Sequence, residues 1–189
     1  MNQAALSDIK TRGNNSIHPE STTDLYVIFH IDAYAFALPL MMAERIFRAV
    51  KISHFPKMPA HVLGLINVHG SVIPVFNIRH IFGLPQREVK PEDQLIIASS
   101  ADHRLAFMAD RVTGVTERTG QQIVPAKDIY PGLQKMIDGI ILFHDGLILI
   151  YKPEKIFDMD TLNLIDLALM QKANASTRKA ITRTGKKKD

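Results

Sequence analysis

The residues with which this chain could do chemistry are few and scattered. Among 189 residues there are eight histidines and no cysteine. His54, His61 and His69 would have to converge through folding to hold a metal. Their spacing gives that no support, because no two histidines lie three or four apart on a predicted helix. Three exposed loop or strand-end histidines is the simpler reading. Asp102 beside His103 has the composition of an acid–base pair, but also of a polar hairpin tip, which the flanking apolar runs favour. Asp110-Arg111, after a buried run, reads equally as a local ion pair or turn cap and as part of a site. No HExxH, GxSxG, GxGxxG or GxxxxGK[ST] pattern occurs. The missing cysteines remove thiol nucleophiles, CxxC redox sites and cysteine-based zinc sites. No acid, base, nucleophile or metal set emerges, and no cofactor is implied. Binding is favoured over catalysis.

Charge narrows the partners. The formal net charge is +4, yet residues 172–189 carry seven basic residues against one acidic one. The remainder holds 16 basic and 18 acidic residues, so the body is mildly acidic and the basicity sits in one tail. A nucleic-acid-binding body therefore loses its support, although the tail alone would suit electrostatic tethering to an acidic surface. No run approaches the roughly 18 apolar residues of a membrane span, and the first thirteen residues hold no apolar core of signal-peptide length. No membrane insertion and a reducing cytoplasm are the expectations.

These residues must be positioned by short strands. Residues 1–23 are polar and aperiodic, and are expected to be disordered. Leu25, Val27, Phe29 and Ile31 then alternate with Tyr26, Ile28 and His30 in a strand. Asp32-Ala33 turns the chain into a second strand, Tyr34 to Leu38. Met41 to Arg48 reads as a short helix with Met42, Ile46 and Phe47 inward. Asn77 caps another through Phe82, ended by Gly83. Leu84 to Asp93 reads as an exposed connection, Leu95 to Ala98 as a buried strand with Arg104 to Ala109 returning beside it, and Val112 to Glu117 as extended. Gly120 to Pro131 reads as a long loop. Met136 to Phe143 and Leu147 to Tyr151 form a hairpin closed by His144-Asp145-Gly146. The run Leu147-Ile148-Leu149-Ile150 is apolar on both faces and is expected to be wholly buried. Pro153 starts a short helix through Phe157, and Asp160 a longer one to about Lys172. Phe29, Phe36, Phe76 and Phe107 fall at strand-interior positions and read as core, not as a base-stacking platform.

The most informative stretch runs from Gly64 to Ile78. Two apolar runs flank Asn67-Val68-His69-Gly70-Ser71, the pattern of an antiparallel hairpin with His69 at its tip. Gly70 supplies the positive φ that His69 would resist. Pro74 lacks an N–H and belongs on an edge or at a bulge, and an uncovered edge invites a partner.

From about Leu25 to Phe157 the chain resembles the CheW-like adaptor family. Phe36-Ala37-Leu38-Pro39 resembles the family's "YALP" segment, Val62 to Asn67 its "vlGviNlRG", and Ser71 to Arg79 its "xvlPVvDLR". Phe107 to Val112 resembles "lvVDrV". Ile137 to Ile140 and Leu147 to Phe157 resemble the closing segments "ikGva" and "lvlLLDlekLl". These motifs, in the family's order and spread over most of the chain, make the match specific. The resemblance implies a mainly β fold: two SH3-like five-stranded β-barrels sharing a hydrophobic core, with short helices and a C-terminal helix. The expected organisation is a disordered segment 1–23, the CheW-like domain 24–158, a helix 159–172 and a basic tail 173–189. It implies no catalysis. It implies a non-catalytic adaptor that joins the cytoplasmic tip of a methyl-accepting chemoreceptor to the regulatory domain of a CheA-like histidine kinase, with lobe-to-lobe contacts building rings. The receptor helix would lie in a groove near the hairpin. Matched onto this sequence, the partner-binding residues are Glu44, Arg45, Gly64, Asn67, His69, Gly70, Pro74, Val75 and Gly139.

Three departures mark a divergent paralogue. His69 stands where the family has arginine, and Arg45 where it usually has glutamate, so an ion pair expected beside the groove is replaced by two residues that cannot attract each other. Asn77 and Tyr151 replace aspartates. The competing reading is a CheW-fold interaction protein with another client outside the kinase array, and a nucleic-acid-binding barrel using the tail comes third.

Overall fold

Alternating apolar side chains make these segments strands, and tight polar turns fold the strands back. The computed structural model describes residues 23–156, apart from 57, 101–102, 130–131 and 144–145. Of the segment 1–23 expected to be disordered, Thr23 already belongs to the first strand and the rest lies outside the described residues, as do the helix expected at 159–172, the basic tail, Asp102 and the His144-Asp145 turn. The strands in chain order are β1 (Thr23–Ile31), β2 (Tyr34–Pro39), β3 (Ala43–Arg48), β4 (Val62–Val68) and β5 (Ser71–Phe76). After helix α1 (Ile78–Ile81) come β6 (Gln94–Ser100), β7 (His103–Ala109), β8 (Arg111–Thr119), β9 (Ile123–Pro125), β10 (Ile137–Phe143) and β11 (Gly146–Tyr151).

They form two sheets. The first has the order β8-β1-β2-β11-β10-β9 and the second β3-β6-β7-β5-β4. The two lobes and their SH3-like, mainly β character are as expected, but the first lobe has six strands. The sixth is β9, three residues inside the stretch read as a long loop, pairing with β10 at Ile123↔Ile141. Each sheet contains one parallel pair, β2 with β11 and β5 with β7.

One core joins the sheets. Phe29 and Phe36 stack at 5.4 Å, Phe29 meets Phe107 at 5.2 Å, and Phe107 meets Tyr151 edge-on at 5.3 Å. Phe82, beside α1, closes the set against Phe36 and Tyr151. Phe29, Phe36, Phe76 and Phe107 are all buried, so the reading of these rings as core holds. Each such ring stabilises by roughly 1.5–3 kcal/mol on burial. Asn77 caps α1 as expected, its Oδ1 accepting from the His80 N–H at 3.3 Å.

Two expectations are corrected. Met41 to Arg48 is not a helix. Leu40–Met42 makes one 3-10 turn, and Ala43–Arg48 is a strand paired with β6. The partner edge of β6 satisfies this backbone, and that tertiary pairing overrides the helical preference of Ala-Glu-Arg. The run Leu147 to Ile150 is not wholly buried either. Ile148 and Ile150 are, but Leu147 is 57% exposed opposite Leu142, also exposed, where the end of the hairpin runs past the core.

Candidate functional site: a groove between the two sheets

Strands β3 and β8 each lie at the outer edge of their sheet. They meet across an apolar groove of about 310 Å³ lined by Val27, Leu40, Ala43, Ile46, Val112, Gly114 and Val115, with Glu44 and Arg45 on one wall. Val115 is 55% exposed and Ile46 37%, so two large apolar side chains stand open to solvent. The register of β3 against β6 slips between Ala43 and Arg45. That bulge makes Glu44 the extra residue, opposite no residue of β6.

The two charges on this wall differ in their company. Glu44 is held by Arg104 of β7, whose Nε lies 2.8 Å from Oε2 and 3.0 Å from Oε1, with a further contact from a terminal guanidinium nitrogen. Arg45 is exposed and has no ion-pair partner among the described residues.

The β4–β5 hairpin has a two-residue turn, with Val68 opposite Ser71. Both turn residues adopt positive φ, His69 at 51° and Gly70 at 89°. From the sequence that conformation was expected of Gly70 alone. A turn of this mirror-image type needs it at both positions, because only then does its twist match the strands. Asn67 Oδ1 accepts from the Gly70 N–H at 2.9 Å and holds the turn. Asn67, His69 and Gly70 are exposed, and none lines the groove. Gly64, Pro74, Val75 and Gly139 are buried. Gly64 admits the close approach of Ser53, whose carbonyl oxygen would collide with a Cβ there. Gly139 does the same for Val124. Val75 is core. Pro74 is not on an edge strand or at a bulge as expected: β5 lies between β7 and β4, and Pro74 sits in regular register opposite Leu65, one residue before β5 begins to pair with β7. Counting back from the hydrogen-bonded pair Val68–Ser71, Pro74 falls at a position whose nitrogen faces away from β4, so the missing N–H breaks no bond of the hairpin ladder.

A charge cluster ties together segments of the two lobes. Asp32 follows β1, Asp110 joins β7 to β8, and Arg79 of α1 reaches both, at 2.6 Å and 2.7 Å. Arg79 also donates to the Pro85 carbonyl at 3.0 Å. Arg87 extends the cluster, at 2.6 Å from Asp110 and 2.7 Å from the buried Asp93. Burial alone would raise the Asp110 pKa. The Asp32 N–H and the Arg79 and Arg87 guanidiniums outweigh it, and the carboxyl lies below its usual range. At Asp93 burial pushes the same way, and Arg87 and the Lys90 N–H reverse it. Arg79 is raised, chiefly by its hydrogen bond to Asp32. Asp110 is therefore more than a local ion pair or turn cap: it ties the crossing between the sheets. The sequence signal was an arginine between Ile78 and Ile81, directly after the apolar strand ending at Phe76. Among the described residues no three or more histidines, aspartates or glutamates are grouped to hold a metal, and no helix is long and apolar enough to cross a membrane.

A family model for the CheW-like domain matches residues 25–161. The chain belongs to the CheW-like family. It is 30% identical over 134 residues to the chemotaxis protein CheW of Thermotoga maritima, covering 71% of this chain and 87% of that one. With the chemotaxis protein CheW of Helicobacter pylori it shares 24% over 135 residues, 71% of this chain and 82% of the other. The crystal structure of the scaffolding protein TtCheW from Thermoanaerobacter tengcongensis superposes with a TM-score of 0.67 at 22% identity, over 74% of this chain and 96% of that one. That likeness carries the two-lobed fold.

Proposed function

We propose that this CheW-like protein is a non-catalytic chemotaxis adaptor. It couples the cytoplasmic tip of a chemoreceptor to the regulatory domain of a CheA-type kinase, and it acts in the cytoplasm by protein–protein contact alone. The observation that carries the reading is the interlobe groove. Its walls are apolar, exposed and drawn from both sheets, and a groove of that kind takes the apolar face of a helix. Membership of the CheW-like family supports the role, and relatives in Thermotoga and Helicobacter bear the name chemotaxis protein. The turn at His69, with Asn67 and Gly70, forms a separate exposed surface for a second contact, and Gly64, Pro74 and Val75 support that hairpin from within, whereas Gly139 packs against Val124 of β9 and borders neither surface.

The test is reconstitution. A receptor cytoplasmic fragment and a CheA-type kinase from the same organism are mixed with and without this protein, and kinase autophosphorylation is measured. A receptor-dependent change in rate that requires this protein supports coupling. Equal rates in both mixtures, with each partner pair also failing to bind, would refute it and favour a client outside the array.

A further inference from the structure

We infer that the groove selects a helix carrying a carboxylate at the border of its apolar stripe, and that Arg45 is the residue that reads it. This inference rests on the groove being the docking site. Two charged side chains line the groove, and one of them is already committed, because Glu44 is gripped by Arg104 through both carboxylate oxygens. Arg45 remains, exposed and without an ion-pair partner among the described residues. The same two strands carry Arg48 and Arg111, likewise exposed and unpaired among the described residues, at positions flanking the groove. Like them, Glu117, the acid of β8, is not among the lining residues. A partner entering this site therefore meets an apolar floor and one uncommitted lining charge, the Arg45 guanidinium.

The chemistry of the occupant follows. An apolar stripe alone would leave the Arg45 guanidinium losing water with nothing in return, and a basic residue would be repelled. An Asp or Glu beside the stripe offers two oxygens to the planar guanidinium, the geometry arginine suits best. The anchoring of Glu44 makes this selective. Glu44 is held by Arg104, so it cannot cancel the neighbouring cation without breaking that pair.

The probe is a purified chemoreceptor cytoplasmic fragment from the same organism, titrated against the full-length protein by calorimetry. Arg45→Glu should weaken binding by about tenfold or more, Arg45→Lys by much less, and Arg45→Gln should flatten the dependence of affinity on salt. Changing exposed Asp and Glu residues of the receptor tip to Lys one at a time should identify one variant that restores binding to Arg45→Glu. Ile46→Gln and Val115→Gln test the groove independently, and urea unfolding checks that every variant is folded. If both of these bind as the parent does, the groove reading fails. If they lose binding while Arg45→Glu stays within twofold of the parent and no receptor variant compensates, the groove stands and the charge inference is overturned.

Discussion

Replacing Arg79 with methionine keeps the length and apolar stem of the side chain and removes its charge. Arg79 is 8% exposed and makes four hydrogen bonds to two carboxylates and a fifth to the Pro85 carbonyl. Without it, Asp32 faces solvent alone and Asp110 keeps only Arg87 and the Asp32 N–H. Breaking a buried pair on one side costs about 3–5 kcal/mol. The Asp32 side chain is 42% exposed and recovers part of its hydration. That screening lowers the expected loss to about 2–3 kcal/mol. In urea, at a slope of about 1.5–2 kcal/mol/M, the unfolding midpoint should fall by about 1–2 M. Lys152→Met is the comparison. Lys152 pairs with Asp138 at 3.3 Å, and the two side chains are 38% and 42% exposed. Loss of so open a pair should cost less than about 0.5 kcal/mol. If both substitutions cost the same small amount, the view of Arg79 as the tie between the lobes is wrong.

The same cluster sets the acid limit. Asp93 and Asp110 have folded pKa values below those of the unfolded chain. Their stabilisation is therefore present above about pH 4, the unfolded carboxylate value, and is lost as pH falls through the lower folded values. The stability gap between the parent and Asp110→Asn should be widest at neutral pH and close below about pH 4, and a gap independent of pH in urea titrations would contradict this. Gly64→Ala places a Cβ against the Ser53 carbonyl on left-handed backbone, where φ is +144°. It should cost at least about 3 kcal/mol or prevent folding, and a loss under about 1 kcal/mol by thermal unfolding would show that the Ser53 segment moves aside. The Tyr151 hydroxyl is buried without a hydrogen-bond partner among the described residues, and burial pushes its pKa well up. Tyr151→Phe should leave stability unchanged or raise it by up to about 1 kcal/mol, and a drop of more than about 1 kcal/mol would mean the hydroxyl is satisfied in solution.

Strand positions were legible because side-chain alternation is local. Leu25 to Ile31, Tyr34 to Leu38 and the hairpin around His69 could be placed from residue types alone. The segment Ala43–Arg48 could not, because its helical preference is local and the β6 edge that overrules it lies far along the chain, at Gln94 to Ala98. Three residues of β9 are too few to show a period. The groove of β3 and β8 was not legible, since these strands become neighbours only when the lobes pack; the family resemblance implied a groove near the hairpin, whose Asn67, His69 and Gly70 do not line this one. The cluster on Arg79 was hidden for the same reason, with its carboxylates 47 residues before and 31 after. Leu147 misled in the other direction: an apolar run says what burial would favour, not whether the sheet extends far enough to provide it.

The order of strands also sets the order in which the protein can be made. All five strands of the second sheet come from one continuous piece of chain, Ala43 to Ala109, set between β2 and β8. The first sheet draws β1 and β2 from before that piece and β8 to β11 from after it, and its parallel join of β2 to β11 links Phe36 to Leu149. During synthesis the inserted lobe can therefore complete its ladder while its host is still half made. Until β11 leaves the ribosome, β2 keeps an unpaired edge and Phe29 and Phe36 lack the closing Tyr151 ring. The lobe that frames one wall of the groove is thus finished last, although every residue lining the groove has been made by Val115.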